Sequence, residues 1–199
     1  MSKGNLKILQ GKATRETLIA AARNLFAFGY DAVGTPEIVS AAKVTRGALY
    51  HHFADKRALF AAVVDDVAHD LVKRIDAVAE TAASPVDAVV AGCKAFLACA
   101  CDNETRQIFL MDAPAVLGWQ TWREIDARHG LGSLTAGLEA CAAAGAIDKA
   151  QIGTLAHLIS GALNEAVFVL TQNDGHSPAA SVLPGSVERY VRAMIAAAK

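Results

Sequence analysis

The stretch between residues 35 and 57 restricts the fold more than any other part of the chain, because it holds three helix starts in close succession. Thr35-Pro36-Glu37 supplies an N-cap residue, a proline suited to the first turn and an acidic side chain at the positive end of the helix dipole. Thr45 and Asp55 are suited to cap two further helices, the first short and the second long. Short helices joined by the turn Lys43-Val44-Thr45 have the layout of a helix-turn-helix, although an ordinary corner in a helical bundle shares that layout.

Helix signals continue along the rest of the chain. Thr14 is suited to cap a first helix that runs to about Phe28 and ends at Gly29. Beyond the fourth helix, breakers and apolar spacing predict further helices over roughly 85–101, 104–117, 119–144, 148–172 and 186–198. No strand-like alternation and no repeat of about 20–50 residues is evident. The predicted fold class is therefore all-α, with an N-terminal three-helix helix-turn-helix domain and a C-terminal helical bundle.

Charge is distributed unevenly along the chain. Residues 1–57 hold nine lysines and arginines against four acidic residues, a net charge of +5, whereas residues 58–199 hold ten against sixteen, a net charge of −6. A basic N-terminal part on an acidic body is expected if only that part meets a polyanion. We therefore predict a DNA-binding domain over 1–57 and a second domain over 58–199, with the helix that starts at about residue 55 as their connector.

The segment Thr45–Lys56, with the sequence TRGALYHHFADK, gathers an arginine, a tyrosine, two histidines and a lysine in a chain that is otherwise rich in alanine, leucine and valine. Such a concentration of hydrogen-bond donors on a short helix is typical of a helix that lies in the major groove of DNA. Leu49 and Phe53 are predicted to face the core. His51 and His52 are not expected to bind one metal ion, because adjacent helical side chains point about 100° apart. No metal site and no cofactor is predicted elsewhere.

Other function classes find little support in the sequence. The chain has no apolar run of membrane-spanning length and no signal peptide, so a cytoplasmic protein without a membrane partner is expected. Nucleophile-elbow, P-loop, HExxH and GxGxxG motifs are absent, and Gly130-Leu131-Gly132 follows no strand. Two alternatives to DNA binding stay open, namely a small helical enzyme and a helical interaction module, and a DNA-binding protein could act with or without a small-molecule effector.

The cysteines form no CxxC pair and have no histidine at zinc-finger spacing. They are Cys93, Cys99, Cys101 and Cys141. In a reducing compartment we expect them to be small buried hydrophobic residues.

Residues 13–60 resemble the DNA-binding domain of the TetR family of bacterial transcriptional regulators. The resemblance lies in the run ATRETLIAAARNLFAFGYDAVGTPEIVSAAKVTRGALYHHFADKRALF. The C-terminal part resembles, more loosely, the helical ligand-binding and dimerisation domains of that family. The resemblance implies a homodimer that usually represses transcription and releases its DNA operator when a small molecule binds the C-terminal domain.

By this resemblance, the helix over residues 46–52 enters the major groove, where the guanidinium of Arg46 can bond two acceptors of guanine. Lys56 matches the phosphate-binding lysine of the family. The residues expected to contact DNA are Thr35, Lys43, Thr45, Arg46, Gly47, Ala48, Tyr50, His51 and Lys56. The family usually has glycine where this chain has Lys43, so Lys43 either strains a left-handed turn, which is the interpretation we favour, or reaches a phosphate.

The C-terminal part holds large aromatic residues among alanines and glycines, a combination that can leave a cavity, although each aromatic side chain could equally belong to the core. The predicted ligand pocket comprises Phe96, Phe109, Met111, Asp112, Trp119, Trp122, Arg123, His157, Asn164 and Phe168. Its occupant would be a small-molecule effector, which the sequence does not identify.

Two apolar stripes near the C-terminus match the position of the helices that form the dimer interface in the family. The predicted interface residues are Ile159, Leu163, Val167, Val187, Tyr190, Val191 and Met194. The alternative is that these stripes close the core of the chain itself.

Overall fold

A computed structural model describes residues 3–171 and 178–199 of the chain, with side chains over 8–171 and 182–199. Within those ranges the regular structure is entirely helical, which confirms the all-α prediction. The run Asn173-Asp174-Gly175-His176-Ser177-Pro178, whose residue types predict a break between helices, lies outside the described residues except for Pro178, the first residue of the last helix.

Eleven α-helices are present in the described residues, together with one π-helical segment and one 3-10 turn. They are α1 (Lys3–Phe26), α2 (Thr35–Ala41), α3 (Arg46–His52), α4 (Lys56–Ala79), α5 (Pro85–Ala100), α6 (Asn103–Thr105), the π-helical segment Arg106–Asp112, α7 (Ala113–Leu117), α8 (Trp119–Arg128), α9 (Gly130–Ala143), the 3-10 turn Lys149–Gln151, α10 (Ile152–Thr171) and α11 (Pro178–Ala197).

The chain divides into two compact units, and each unit is made of two separate segments. Unit 1 comprises Met1–Val67 and Asn103–Trp122, and unit 2 comprises Ala68–Asp102 and Arg123–Lys199. The predicted N-terminal domain, residues 1–57, thus lies within a larger unit that also includes α6, the π-helical segment and α7.

The core of unit 1 forms where α1, α2 and α3 pack together. Leu18, Ala22 and Phe26 follow one another at four-residue intervals on α1 and are fully buried. Ile38 of α2 and Leu49 of α3 are also fully buried. The two short helices are therefore held against α1 by apolar contacts, and their donor-rich surface is left for solvent.

Hydrogen bonds to backbone carbonyls join the two segments of unit 1. The side-chain amide of Asn103 donates to the carbonyl of Ala27 at 3.0 Å. The guanidinium of Arg57 donates to the carbonyls of Val116 and Leu117 at 3.1 and 2.8 Å. Since the last carbonyls of a helix have no partner within it, Arg57 satisfies the C-terminal end of α7.

Unit 2 is built around α10, which packs against α5, α9 and α11. Leu138, Cys141 and Ile159 are fully buried in its core. At its surface, Arg192 of α11 pairs with Asp87 of α5 at 2.9 Å. α5 and α11 are thus joined by a charged contact as well as by apolar packing.

The segment Lys149–Thr171 is long and apolar enough to cross a membrane by length and composition alone. Most of it is α10, and α10 contacts three other helices of unit 2. Leu155, Ile159 and Leu163 lie at four-residue intervals on α10 and are buried. One face of α10 therefore belongs to the core of unit 2, whereas only 39% of the most apolar window of this segment is buried.

Two predicted helix starts need correction. α1 begins at Lys3, well before Thr14, and the Thr14 hydroxyl donates to the carbonyl of Gln10 at 2.9 Å instead of capping. A threonine inside a helix can bond the carbonyl four residues earlier, so its presence alone does not mark a start. At α2 the N-cap residue is Gly34, and Thr35 is the first helical residue.

Three predicted helices differ in their course. The helix predicted over 119–144 is interrupted at His129, whose φ of −115° and ψ of −90° leave the helical region. The helix predicted over 104–117 contains the π-helical segment. The last helix starts at Pro178 rather than near residue 186, and it continues through Pro184.

The prediction of buried cysteines holds for three of the four. Cys93, Cys99 and Cys141 are buried, whereas Cys101 is exposed because it lies just beyond the last residue of α5. Burial raises the pKa of the Cys93 thiol to about 12. At neutral pH Cys93 therefore carries its proton and behaves as a small apolar side chain.

Candidate functional site

α3 is a short helix with a well-defined start. Thr45 has an extended backbone, and its hydroxyl oxygen accepts a hydrogen bond from the Ala48 N–H at 3.1 Å. Asp55 caps α4 in the same way, since its carboxylate accepts from the Ala58 N–H at 2.7 Å. Both predicted caps are confirmed, and they fix the ends of the segment TRGALYHHFADK.

The two faces of α3 differ in burial. Leu49 is fully buried, and Phe53, which follows the helix, is nearly so, as predicted. The side that solvent reaches, wholly or partly, carries Arg46, Gly47, Ala48, Tyr50 and His51. A helix with one face in the core and one donor-rich face in solvent can be presented to a DNA groove without loss of its packing.

Arg46 and Tyr50 contact each other on the exposed face. The guanidinium carbon of Arg46 lies 5.5 Å from the centroid of the Tyr50 ring, which is a cation–π distance. Hydrogen bonding from Thr35, and next from Arg46, lowers the pKa of the Tyr50 hydroxyl. Tyr50 thus lies beside the first residue of α2 and the first residue of α3.

Lys43 occupies the left-handed position of the turn between α2 and α3. Its φ is +54°, and its N–H donates to the Ser40 carbonyl at 3.1 Å while the Val44 N–H donates to the Val39 carbonyl at 3.0 Å. This pair of bonds is the Schellman motif, in which glycine is the usual residue at the left-handed position. Lys43 therefore adopts the left-handed backbone conformation on which the predicted strain depends. Its side chain is exposed.

Lys56 is already engaged within unit 1. Its ammonium donates to the Tyr30 carbonyl at 2.7 Å and lies 3.8 Å from the centroid of the Tyr30 ring. The Tyr30 N–H in turn donates to the Asp112 carboxylate at 2.7 Å. An ammonium has three N–H donors, and the bond to Tyr30 uses one of them. A phosphate contact by Lys56 therefore stays a prediction.

A cavity of about 360 Å³ lies within unit 2. Most of its lining is apolar or glycine, from Ile75, Ala79, Ala88, Val89, Gly92, Cys93, Phe96, Gly130, Leu134, Ala136, Gly137 and Leu163. Its polar lining consists of Asp76, Glu80, Asp126, Ser133, Ser160 and Asn164. A mostly apolar cavity of this size with a few polar groups is the usual form of a small-molecule site.

Two of the ten predicted pocket residues, Phe96 and Asn164, line this cavity. Phe109, Trp119 and Trp122 instead lie together in unit 1, with ring centroids 5.8 Å apart for Phe109 and Trp122 and 4.8 Å apart for the two tryptophans. These three aromatic residues lie between residues 109 and 122 of the sequence. That segment belongs to unit 1, whereas the cavity lies in unit 2.

The remaining predicted pocket residues do not line the cavity either. Met111, His157 and Phe168 are exposed, and the carboxylate of Asp112 accepts the Tyr30 N–H within unit 1. Arg123 donates a hydrogen bond to Asp126, which lines the cavity. Arg123 thus contacts a lining residue without lining the cavity itself.

The sequence signal for the cavity is a set of small residues rather than aromatic ones. Gly130, Ser133 and Gly137 lie at three- and four-residue spacing on α9, and all three line the cavity. A Cβ at Gly137 would lie 3.0 Å from Cγ2 of Val89, and one at Gly92 would lie 3.3 Å from Cγ2 of Ile75. These glycines allow a close approach of the helices that surround the cavity.

Five of the seven predicted interface residues are buried within the chain itself, namely Ile159, Leu163, Val167, Val187 and Val191. They close the core of unit 2, which is the alternative that the sequence left open. Tyr190, which is 69% exposed, and Met194, which is half-buried, remain available on α11. On α10 the exposed face instead carries Leu158, Gly161, Ala162, Glu165 and Phe168.

Two family models match the chain. The model described as "Bacterial regulatory proteins, tetR family" matches residues 18–63. The model described as "Tetracyclin repressor-like, C-terminal domain" matches residues 86–194, which is more than half of the chain. The first match covers α2 and α3 entirely, and the second covers most of unit 2.

Two curated relatives match over about a quarter of the chain. The Tn10 TetC protein of Escherichia coli is 48% identical over 52 residues, which are 26% of each chain. The A-factor receptor protein of Streptomyces griseus is 43% identical over 54 residues, 27% of this chain and 20% of the receptor. The chain thus spans about a quarter or less of the length of these relatives.

Solved structures match over nearly the whole length. A TetR-family transcriptional regulator from Pectobacterium atrosepticum is 29% identical, with a TM-score of 0.74 over 100% of this chain and 97% of that one. RolR in complex with resorcinol is 19% identical, with a TM-score of 0.71 over 94% of this chain and 95% of that one, and shares the fold. With both family models matched in order along the sequence, this chain belongs to the TetR family of bacterial transcriptional regulators.

Proposed function

We propose that this regulator is a homodimeric, ligand-responsive repressor, which binds a palindromic operator through α3 and is released by a small molecule bound in the cavity of unit 2. The observation that carries the DNA-binding part is the exposed face of α3, where Arg46 is held against Tyr50. A constitutive DNA-binding protein without an effector is the second candidate, and the mostly apolar cavity is the observation that favours an effector over it.

Arg46 is proposed to read a base, because a guanidinium can donate two parallel hydrogen bonds to guanine in the major groove. Thr35 lies in the first turn of α2, where backbone N–H groups favour a phosphate. Thr45, Gly47, Ala48, Tyr50 and His51 are proposed to complete the contact surface of α3, with Lys43 and Lys56 at phosphates. Phosphate contacts position the helix and base contacts choose the sequence.

The test is selection of operators from random duplexes, followed by salt titration of binding to the selected and to a scrambled duplex. Arg46→Ala should lose about 1–3 kcal/mol of discrimination between the two duplexes. Lys149→Ala is the matched control, since it removes a basic side chain from the exposed surface of unit 2. Equal losses on both duplexes for Arg46→Ala would assign Arg46 to a phosphate and overturn its role as a base reader.

The dimer interface is proposed to use the exposed faces of α10 and α11. On α10, Leu158 and Phe168 are 57% and 37% exposed, and Gly161 and Ala162 between them permit close helix contact. On α11, Tyr190 is exposed beside the core residue Val191. Exposed apolar side chains at helical spacing on packed neighbouring helices are the usual basis of a four-helix interface.

Leu158→Glu should convert the dimer to a monomer in sedimentation experiments, because it places a charge in the proposed apolar contact. It should also weaken binding to a palindrome, since a dimer presents two reading helices one DNA turn, about 34–36 Å, apart. Val78→Glu is the control, because Val78 is a similarly exposed apolar residue of unit 2 on α4. A dimer that persists in Leu158→Glu would exclude this face of α10.

A further inference from the structure

The polar lining of the cavity in unit 2 is acidic. Among the described residues, three carboxylates line it, those of Asp76, Glu80 and Asp126, and no lysine, arginine or histidine does. In a mostly apolar enclosure, charges of one sign act on a ligand more strongly than they would in water. The sign of this lining therefore restricts the chemistry of the occupant.

One of the three carboxylates is already balanced by the protein. Asp126 is buried, and Arg123 donates to its carboxylate. Burial raises the pKa of Asp126, and the neighbouring Arg123 acts in the opposite direction. The charge of Asp126 is thus opposed by Arg123, which lies outside the lining, and a ligand is not needed to neutralise it.

Of the other two carboxylates, that of Asp76 lies on α4 and is half-buried, and that of Glu80, which directly follows the last residue of α4, is exposed. The Glu80 N–H donates to the Asp76 carbonyl at 2.9 Å, so the two residues are one helical turn apart. Asp76 accepts a hydrogen bond from the neutral Ser133 hydroxyl at 2.6 Å. Lys73 and Arg74, the basic residues nearest in sequence, pair with Asp70 at 3.6 Å and Asp102 at 2.9 Å.

Like charges at i and i+4 repel each other on a helix. A cation in the cavity would relieve this repulsion at Asp76 and Glu80, and an anion would add to it.

The remainder of the cavity is suited to an apolar body. Phe96, Val89 and Leu134 contribute apolar side chains, and the volume of about 360 Å³ is near the lower end of small-molecule sites. A ligand that carried several charges would leave most of its polar groups without partners along this wall.

We propose that the cavity binds a small amphipathic monocation, in which an aromatic or branched aliphatic body carries one protonated amine, with the ammonium at Asp76 and Glu80. The proposal rests on the proposed function, because it names the chemical class of the effector. It depends on the juxtaposition of two carboxylates at the C-terminal end of α4, one on the helix and one just after it, with an apolar wall.

Three probes that share one body and differ in charge test the proposal. They are 2-(1-naphthyl)ethylamine, 2-(1-naphthyl)ethanol and 1-naphthylacetate, titrated calorimetrically into the full-length protein at pH 7 with and without operator DNA. The amine should bind at least about tenfold more tightly than the alcohol, and the carboxylate most weakly, as expected for a charge held near carboxylates in a site of intermediate dielectric.

Variants of the same shape locate the interaction. Asp76→Asn should weaken the amine about tenfold while it changes the alcohol less than about twofold, and Glu80→Gln should act in the same direction. Glu139→Gln is the matched control, because Glu139 is an exposed carboxylate of α9 outside the lining. Ala88→Phe, which fills the cavity, should abolish binding of all probes, and a thermal melt checks that this variant folds.

The outcomes separate the ligand class from the regulatory role. Equal or tighter binding of the alcohol or the carboxylate would overturn the monocation proposal, and so would a failure of the amine to bind at millimolar concentration to protein that binds its operator. An amine that binds through Asp76 but leaves operator affinity unchanged would support the ligand class and overturn the effector response. Absence of operator binding in any condition would overturn the proposed function alone.

Discussion

Arg23 and Glu104, which are 81 residues apart in the sequence, form a two-pronged ion pair in which Nε and Nη2 of the arginine each lie 2.9 Å from a carboxylate oxygen. Nη1 of the same guanidinium donates to Asp66 at 2.8 Å. The pair joins α1 to α6 inside unit 1, and its side chains are only 20% and 33% exposed. The helix-turn-helix unit therefore includes residues from the middle of the chain, which share its stability.

Glu104→Gln should lower the free energy of unfolding by about 1 kcal/mol, because the bidentate charge-assisted contact is lost while Arg23 keeps Asp66 as a partner. Urea denaturation followed by circular dichroism measures the change. Asp70→Asn, which removes an exposed ion pair with Lys73, should change stability by less than about 0.5 kcal/mol. Equal effects of the two substitutions would show that the Arg23 pair is no stronger than a surface contact.

Lys43→Gly should stabilise the protein by about 1 kcal/mol, since glycine adopts the observed φ of +54° without a Cβ penalty. Lys43→Ala keeps the penalty and removes only the ammonium, so it should leave stability unchanged. If Lys43 contacts a phosphate, both variants should reduce the salt dependence of DNA binding by about one charge. Thermal melts and salt titrations of the two variants thus measure the strain and the charge separately, and a Lys43→Gly variant less stable than wild type would refute the strain.

Lys56→Met should affect stability and DNA binding together. The loss of the charged hydrogen bond to the Tyr30 carbonyl should cost about 1.5–3 kcal/mol. A phosphate contact by the same ammonium should appear as a salt slope that is smaller by about one, measured well below the melting temperature. An unchanged slope would restrict Lys56 to its role inside unit 1.

Cys101 should be alkylated by iodoacetamide at pH 8 long before Cys93. The thiolate is the reactive form, and burial raises the pKa of Cys93 to about 12, so this thiol stays protonated at pH 8 and is also shielded. Mass spectrometry of timed samples distinguishes the two sites, and unfolding in urea should make their rates similar. Comparable rates in the folded protein would contradict the burial of Cys93.

Local signals predicted the start of α3 well, because a cap acts within three residues. Thr45 and Asp55 cap the helices that follow them, as predicted. The same type of residue misled at Thr14, since its hydroxyl finds a carbonyl inside a helix that begins earlier. A cap residue identifies a start only when the preceding residues cannot themselves be helical.

The cavity was harder to predict because it depends on contacts between distant segments. Phe109 and Trp122 were expected to line it, yet they contact each other in unit 1, and sequence spacing carries no information on which unit a segment joins. Gly130 and Gly137 line the cavity and leave space in it because they carry no side chain. The interface prediction met the same difficulty, since a stripe such as Ile159 and Val167 satisfies an internal core as well as a partner subunit.

The π-helical segment Arg106–Asp112 affects how this chain is compared with others. Its wider turns hold more residues than α-helical turns, so every side chain after it is rotated as if a residue had been inserted. The face that α7 presents is therefore out of register with a straight continuation of α6. An alignment of this chain with a relative whose helix is unbroken would need a one-residue gap within 106–112, and without it Asp112 would be compared with residues that do not share its place beside Tyr30.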